Sequence, residues 1–417
     1  MQIGPPVPQA KDSDTAPPRG RLVFVFDYPI SDSQLATSGL AQLRDFGFSI
    51  EIWDVGWVNR PEAQSMGLPR TAAFKTTVFS DFRVFRTACR ELGPDVVVIR
   101  TCMLSWYGLW LGRRLLRCLS ETPAPLCAAM AANLPDLLRP APHSLAWYRR
   151  LLSRVSDWQA WKRIAQRLAM RRPLSSLFMR GIRPLDLLWA GIAVNAVAAQ
   201  QIGAHTRVEF IHEYEYDRVL ECIARGDRPS AGIVLVDQMG PLHPDYVWRG
   251  TSAQLSSEEY TQLLCRTLDN LEDQLGSRVV VAAHPQARPG QIEPLYGGRQ
   301  VVYGGTAQLI ATSEFVVVPE GSTATFIAIG MRRPIVFLES PLFDPYGQAL
   351  NIWFADSLAL PIIDVHAQAI PVLTLDVDEA RYSAFTKEFI KREGTPELPF
   401  WDCVARDLDT LLGAPLK

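Results

Sequence analysis

The sequence predicts an α/β protein built from two doubly wound, parallel-sheet domains. Three observations carry that prediction. Apolar runs of strand-forming residues recur along the chain, within Leu22–Phe26, Asp95–Ile99, Gly232–Val236, Arg278–Ala282 and Phe315–Val318. Such runs suit parallel strands buried on both faces rather than half-exposed strands of alternating polarity. They alternate with helical stretches, as βαβ units require. Finally, Arg225-Gly226-Asp227-Arg228-Pro229 reads as an interdomain linker that splits the series in two.

Taken in order, folding is expected to begin at Arg21. Residues 1–20 are rich in Pro, Ala and polar residues and lack the apolar core of a signal peptide, so a flexible tail is predicted. Leu22–Phe26 is the first strand, ended by Asp27-Tyr28-Pro29. Ser33–Phe46 reads as a helix closed by Gly47, and Ser49–Trp53 as a second strand. A helix near Asp81–Leu92 precedes the strand Asp95–Ile99, and another helix follows around Trp106–Leu119. Strands resume at Leu185–Trp189 and Arg207–Ile211, and Tyr216–Ala224 reads as a helix. Beyond the linker come the strand Gly232–Val236 and the helix Ser257–Leu275, with Gly276 as its cap. Then follow the strand Arg278–Ala282, Val301-Val302, the helix Thr306–Ala311 and the strand Phe315–Val318. The helix Ser322–Ile329, ended by Gly330, leads to the strand Pro334–Leu338. A last helix is placed near Tyr382–Ile390, ahead of Pro396–Leu411. The expected domains are therefore 21–225, carrying a basic insert at 144–180, and 231–381, followed by a helical segment over 382–417.

Composition narrows the function classes. The chain has 417 residues, 48% hydrophobic and 21% charged, enough for two or three ordinary cores. A net charge of −2 gives no global attraction to nucleic acid, so no nucleic-acid partner is expected. The seven cysteines, Cys89, Cys102, Cys118, Cys127, Cys222, Cys265 and Cys403, form no CxxC pair and are widely spaced. That argues against a disulfide framework or a zinc site and for reduced thiols in a cytoplasmic protein. Leu185–Ala199, the most apolar segment, is too short to span a bilayer. The insert at 144–180 holds nine Lys/Arg and one acid, interleaved with Trp147, Trp158 and Trp161. Its composition is that of an interfacial helix on an anionic membrane surface, or of a helix pair that packs its tryptophans inward.

Four constellations can carry chemistry. The strand Val279–Ala282 ends at Ala283-His284-Pro285, where an imidazole can donate to a phosphate and proline fixes the turn. The strand Phe315–Val318 runs into Pro319-Glu320-Gly321-Ser322-Thr323, a turn that opens a helix with Ser322 or Thr323 as its cap; the exposed N–H groups there suit an anion. Between them, Gly305 and Thr306 offer a close backbone approach and another helix start. The third is Val236-Asp237-Gln238-Met239-Gly240-Pro241-Leu242-His243, with Asp237 a candidate base and His243 a residue facing the cleft, alongside Glu320. The fourth is the loop after the first strand, where Asp27 or Asp32 is a candidate base facing the acceptor. Each has a plainer reading as a strand-end histidine, a helix cap or a turn acid. No HExxH and no strand-end DxD is present, so no tightly bound metal is expected.

The order of His284-Pro285, Gly304-Gly305-Thr306-Ala307-Gln308-Leu309-Ile310, Ser322-Thr323 and Arg333-Pro334-Ile335-Val336-Phe337-Leu338 resembles that of bacterial GT-B proteins of capsule and lipopolysaccharide loci. Gly47-Phe48-Ser49-Ile50-Glu51-Ile52-Trp53-Asp54, Ile211-His212-Glu213-Tyr214-Glu215-Tyr216-Asp217 and Phe389–Pro396, with Pro399-Phe400-Trp401, also look like theirs. The likeness covers most of the chain from 21 on, except the basic segment. More distantly, His-Pro with Ser-Thr is similar to the paired motifs of polysialyltransferases, bacterial sialyltransferases, Kdo transferases and CDP-glycerol glycerophosphotransferases. The resemblance implies a GT-B fold, two Rossmann-like domains facing a cleft. It implies transfer of a sugar from a nucleotide-activated donor, CMP- or CDP-linked, to a glycan or lipid-linked acceptor, with His284, Ser322 and Thr323 at the donor phosphate. The donor is a substrate, and no cofactor is expected. The acidic pair plus glycine of polysialyltransferases has no clear counterpart; Asp237-Gln238 is nearest, which leaves the base open. A non-hydrolysing sugar-nucleotide epimerase and a non-catalytic glycan-binding protein of the same fold remain as other readings.

Overall fold

The computed structural model describes residues 18–27, 35, 38–59, 74–101, 109–131, 134, 179–194, 199, 201–230, 232–243, 246, 252–373 and 376–412. Asp32 and nearly all of the basic insert lie outside them. The first sheet contains β1 (Arg21–Phe26), β2 (Ser49–Asp54), β3 (Lys75–Val78), β4 (Val96–Arg100), β5 (Leu126–Met130), β6 (Leu187–Ala190) and β7 (Arg207–Phe210). The second contains β8 (Ile233–Val236), β9 (Val279–Ala282), β10 (Val301–Val302), β11 (Phe315–Val318), β12 (Ile335–Glu339) and β13 (Ile362–Asp364). Their spatial orders are β3-β2-β1-β4-β5-β6-β7 and β10-β9-β8-β11-β12-β13. Every paired neighbour runs parallel. Counted within its own sheet, each order begins 3-2-1-4-5-6, the Rossmann arrangement. The fold is thus α/β, with two Rossmann-like sheets in tandem, the GT-B architecture.

Ten helices matter below: α1 (Leu40–Asp45), α2 (Phe82–Glu91), α3 (Leu109–Leu119), α4 (Glu215–Arg225), α5 (Ser257–Leu275), α6 (Thr306–Thr312), α7 (Ala324–Gly330), α8 (Pro345–Leu358), α9 (Glu379–Phe385) and α10 (Phe400–Leu411). The central strands bury both faces, as their unbroken apolar runs require; β4 and β8 are buried along their whole length. Helix α5 starts with a full capping box between Ser256 and Glu259 and stops at Gly276 in the left-handed region. No described helix is long and apolar enough to cross a membrane. Of the six cysteines described, all are free and all but Cys265 are buried.

Packing crosses the division expected at 225 and 382. Helix α4 precedes the linker, yet Val219 and Cys222 join the second core with Val234, Ile310 and Phe326. Gly330 permits this approach, because a Cβ there would stand 2.7 Å from Val219. Helix α10 returns to the first sheet, where Phe400, Trp401, Val404 and Leu408 pack with Phe24, Leu40 and Leu43. Gly39, at φ 69°, leaves the space that the Trp401 ring fills; a Cβ would lie 2.0 Å from that ring.

The two crossings meet at residues 211–217. Buried His212 places Nδ1 and Nε2 each 2.9 Å from a carbonyl oxygen, those of Glu213 and Leu398. Glu213 receives the Ile192 N–H at 2.8 Å and donates its own N–H to Ile390 O at 2.9 Å. Asp217 Oδ1 accepts the Phe400 N–H at 2.7 Å, and Tyr216 donates its hydroxyl to Glu397 at 3.0 Å.

On the other side of the first sheet, Glu51 ties β1, β2 and β3 together. Its carboxylate accepts from Arg21 at 2.7 Å, Lys75 at 3.1 Å, Trp53 Nε1 at 3.0 Å and Thr77 at 3.0 Å. Burial alone would raise its pKa, but these four donors hold it down from 4.5 to about 2. A lowered carboxylate pKa stabilises the fold above the unfolded value, and that contribution fades as pH falls from about 4.5 toward 2. Glu51→Gln is therefore expected to lower stability at pH 7 and to flatten the fall in melting temperature between pH 5 and pH 3. In urea at pH 7, Trp401→Ala is expected to cost about 3–5 kcal/mol, the scale of deleting a buried large aromatic.

Candidate functional site

In an open parallel sheet, ligands bind beyond the carboxyl ends of the strands where the strand order reverses. Here those places are β1/β4 in the first sheet and β8/β11 in the second. Asp27 directly follows β1, and Asp237 directly follows β8. His284 comes just after β9, and Gly321-Ser322-Thr323 just after β11. The structure thus gathers most of the residues singled out in the sequence at the second reversal point.

Asp237 holds this point together rather than facing it. It is 1% exposed, and both carboxylate oxygens are occupied. Oδ1 accepts the Met239 N–H at 2.5 Å and the Tyr296 hydroxyl, while Oδ2 accepts the His284 N–H at 2.9 Å. Burial pushes its pKa up, and these donors pull it back. Asp237, a candidate base in the sequence, is here a carboxylate with three protein donors and 1% exposure, a pin between the loops after β8 and β9.

The pin aims His284. Its Nδ1 receives the Gln286 N–H at 3.3 Å, which in a neutral ring puts the proton on Nε2. His243, from the loop after β8, sets its ring across that of His284, with centroids 5.1 Å apart and planes at 65°. Both are partly exposed, and Pro285 beside them is exposed. Gln238 then spans the reversal point, donating Nε2–H to Ser322 Oγ at 3.0 Å.

The turn after β11 differs from the capped helix start that was expected. Thr323 is the cap residue of α7, but its side chain makes no capping bond. Ser322 is taken by Gln238. Helix α7 has seven residues. Gly321 is needed for contact with α8: a Cβ would stand 2.5 Å from Leu350 and 3.1 Å from Asn351 N. Asn351 donates to Pro319 O at 3.0 Å and Leu338 O at 2.7 Å, and Gly321 N–H reaches Gly347 O at 3.1 Å. Glu320 accepts the Asp344 N–H at 3.2 Å. The loop is therefore fixed from behind by α8.

Gly305 and Thr306 lie after β10, at the outer edge of this sheet and separated from β8 by β9. Gly305 is the cap position of α6 and makes no side-chain bond. Asp27 stands at the first reversal point and is 1% exposed. Asp32 lies outside the described residues. Sequence reasoning did not assign Tyr296 or Asn351 to the site. Each is recruited from a distant element.

The pin is testable. Asp237→Asn keeps the shape but turns one acceptor into a donor facing an N–H or a hydroxyl. It is expected to cost about 2–4 kcal/mol in urea unfolding, the scale of a buried mismatch. Unchanged stability with lost activity would return Asp237 to the role of base.

No model of a known protein family matches the chain, and no curated protein matches it. Among solved structures it is similar to the glycotransferase of kitacinnamycin, at 13% identity over 95% of this chain and 100% of that one, with a TM-score of 0.48. It is also similar to Acinetobacter baumannii MurG, at 12% identity over 88% and 90% of the two chains, with a TM-score of 0.38. A third is Arabidopsis thaliana UGT89C1 complexed with UDP, at 10% identity over 94% and 100%, with a TM-score of 0.45. The two-sheet assignment rests on this chain's own strand orders.

Proposed function

We propose that the chain is a glycosyltransferase that moves a sugar from a nucleotide-activated donor, CMP- or CDP-linked, to a growing, lipid-linked surface polysaccharide. One observation carries the reading. At the reversal point of the second sheet, His284, His243, Gln238, Ser322 and Thr323 present imidazole, amide and hydroxyl groups beyond the ends of β8, β9 and β11. Transfer needs charge stabilisation on the departing phosphate, and N–H and O–H donors fixed from behind supply it without reorganising. His284, through Nε2, and the Ser322 and Thr323 hydroxyls are the proposed phosphate contacts, with Pro285, Gly321, Gly305 and Thr306 shaping the backbone around the donor. Glu320 and His243 border the acceptor side. The base that takes the acceptor proton is assigned to the first sheet, to Asp27 or Asp32.

The chemistry is proposed to proceed without a metal, with imidazole and hydroxyl donors offsetting the phosphate charge. The basic insert at 144–180 is proposed to rest on an anionic membrane surface. At helical spacing Trp147, Leu151, Trp158, Trp161, Ile164 and Leu168 share one broad face, and each Lys/Arg near anionic lipid contributes about 1 kcal/mol. That would place a cytoplasmic, peripheral enzyme beside a lipid-linked acceptor.

Four measurements test the reading. In a thermal-shift panel of CMP, CDP, UDP, GDP and dTDP, one cytidine nucleotide is expected to raise the melting temperature most. His284→Ala and Ser322→Ala should each weaken its binding by about 1–3 kcal/mol; unchanged affinity in both folded variants sinks the site. Nucleotide release from the donor should depend on acceptor and persist in EDTA; interconversion of the sugar without acceptor would point to epimerisation instead. The protein should float with anionic vesicles at low salt, and less so after Arg149, Arg150, Arg154, Lys162, Arg163 and Arg167 are changed to Gln.

A further inference from the structure

One imidazole touches the chain both where it leaves the first sheet and where it returns to it. His212 follows β7 and is 0% exposed. Its Nδ1 lies 2.9 Å from Glu213 O, ahead of α4, and its Nε2 lies 2.9 Å from Leu398 O, ahead of α10. Both neighbours are backbone carbonyl oxygens, which accept and never donate. A neutral imidazole has one N–H and one bare nitrogen, so either tautomer would set a lone pair against a carbonyl oxygen. An imidazolium, with two N–H groups, satisfies both.

The surrounding charges fit that state. Asp217, on α4, brings Oδ1 to 3.5 Å from His212 Nε2, and its side chain is 15% exposed. The same oxygen accepts the Phe400 N–H at 2.7 Å. Burial pushes the Asp217 pKa up to about 6, against the pull of that N–H and of His212, so the carboxylate is the main form at pH 7. A proton on Asp217 taken from His212 would restore the lone-pair clash. The other ionisable groups around the ring are matched. Glu397 takes Lys391 at 3.0 Å and the Tyr216 hydroxyl at 3.0 Å. Arg218 pairs with Glu221 at 2.8 Å, and the Glu213 carboxylate accepts the Ile192 N–H at 2.8 Å. Burial pushes the Cys403 thiol up to about 11, which keeps it neutral. The rings of Tyr216 and Phe400, with centroids 5.1 and 6.1 Å from that of His212, pack against it.

We propose that His212 is a proton-dependent clasp: as an imidazolium balanced by Asp217 it donates to the Glu213 and Leu398 carbonyl groups and holds the outgoing crossing of the chain to the returning one. Losing the proton removes one of the two bonds and leaves a bare nitrogen facing an oxygen. The bonds tie the start of α4, which packs in the second core, to the start of α10, which packs in the first. A proton held more tightly by the folded chain stabilises it at low pH and ceases to do so as pH rises past its release. Rising pH is therefore expected to loosen the join between the two sheets. Nothing in this depends on which ligand binds at the second reversal point.

The test is long-range proton–nitrogen NMR of the full-length protein carrying nitrogen-15 histidine, with the His212 signals identified by their loss in His212→Gln. At pH 7 both ring nitrogens of His212 should carry protons and show two nearly equal shifts, while exposed His205 is mostly neutral. Asp217→Asn should lower the pH at which His212 gives up its proton by about one pH unit or more, the scale of losing an adjacent opposite charge. Amide exchange over residues 398–403, corrected for the intrinsic effect of pH, should quicken about 10-fold once that proton is lost, the scale of one hydrogen bond. His212→Gln should exchange at the faster rate already at pH 7. One bare and one protonated nitrogen on His212 at pH 7 overturns the proposal, as does a release pH unmoved by Asp217→Asn or exchange that ignores the charge on His212. Should neither variant fold, the wild-type titration decides: if none of the six histidines keeps two protonated nitrogens at pH 7, the clasp is overturned.

Discussion

Seven residues, Ile211 to Asp217, constrain the structure more than any other stretch. They leave the edge of the first sheet after β7, and the polypeptide has to cross between sheets twice, out through α4 and back before α10. Each crossing exposes backbone groups that have no ladder to join, and buried polar groups must be satisfied. The segment meets that demand with its side chains. His212 sets its ring nitrogens beside two carbonyl oxygens, Glu213 takes the Ile192 N–H and Asp217 takes the Phe400 N–H. Arg392 adds a bond to Ile192 O at 2.8 Å and lies 3.6 Å over the Phe210 ring. Charged residues that would be costly in a core are therefore concentrated where the backbone needs them.

The second reversal point follows a similar rule. The groups most deeply buried there, Asp237, Tyr296 and Asn351, bond to loop backbone or to each other, while the groups left partly exposed are His243, His284, Gln238, Ser322 and Thr323. This separates support from contact. Rigid loops keep donors aimed before a ligand arrives, which is what electrostatic preorganisation requires. Asp237 shows the support side of this division: a strand-end carboxylate next to three donors lowers its energy by accepting them.

Much of this was legible in the sequence. The runs at β1, β4, β8, β9 and β11 announce buried parallel strands, and α5 is bounded by its capping box and Gly276. His284 and Ser322 could be placed because strand ends are local features. Four elements were not legible. β3 reads Lys-Thr-Thr-Val, an edge strand with little apolar content, and β5 reads Leu-Cys-Ala-Ala-Met, small and without β-branched residues. β13 is three residues long. α8 is apolar on several faces because it packs in the second core, so no helical period stands out. The bond from Gln238 to Ser322 was hidden for a different reason. It joins residues 84 positions apart, and nothing in local pattern or spacing encodes such a pair. The return of α10 to the first core was hidden in the same way, since its apolar face fits either sheet.

That return fixes when the first domain can be finished. The pocket beside Gly39 stays empty until Trp401 has been synthesised, so the core around Phe24, Leu40 and Leu43 lacks one wall while the residues between them are made. At roughly 5–20 residues per second, the wait is on the order of 20–70 s. Throughout it, an apolar surface is open on the ribosome-bound chain, a natural substrate for a holding chaperone. An amino-terminal fragment made alone would keep that surface open permanently.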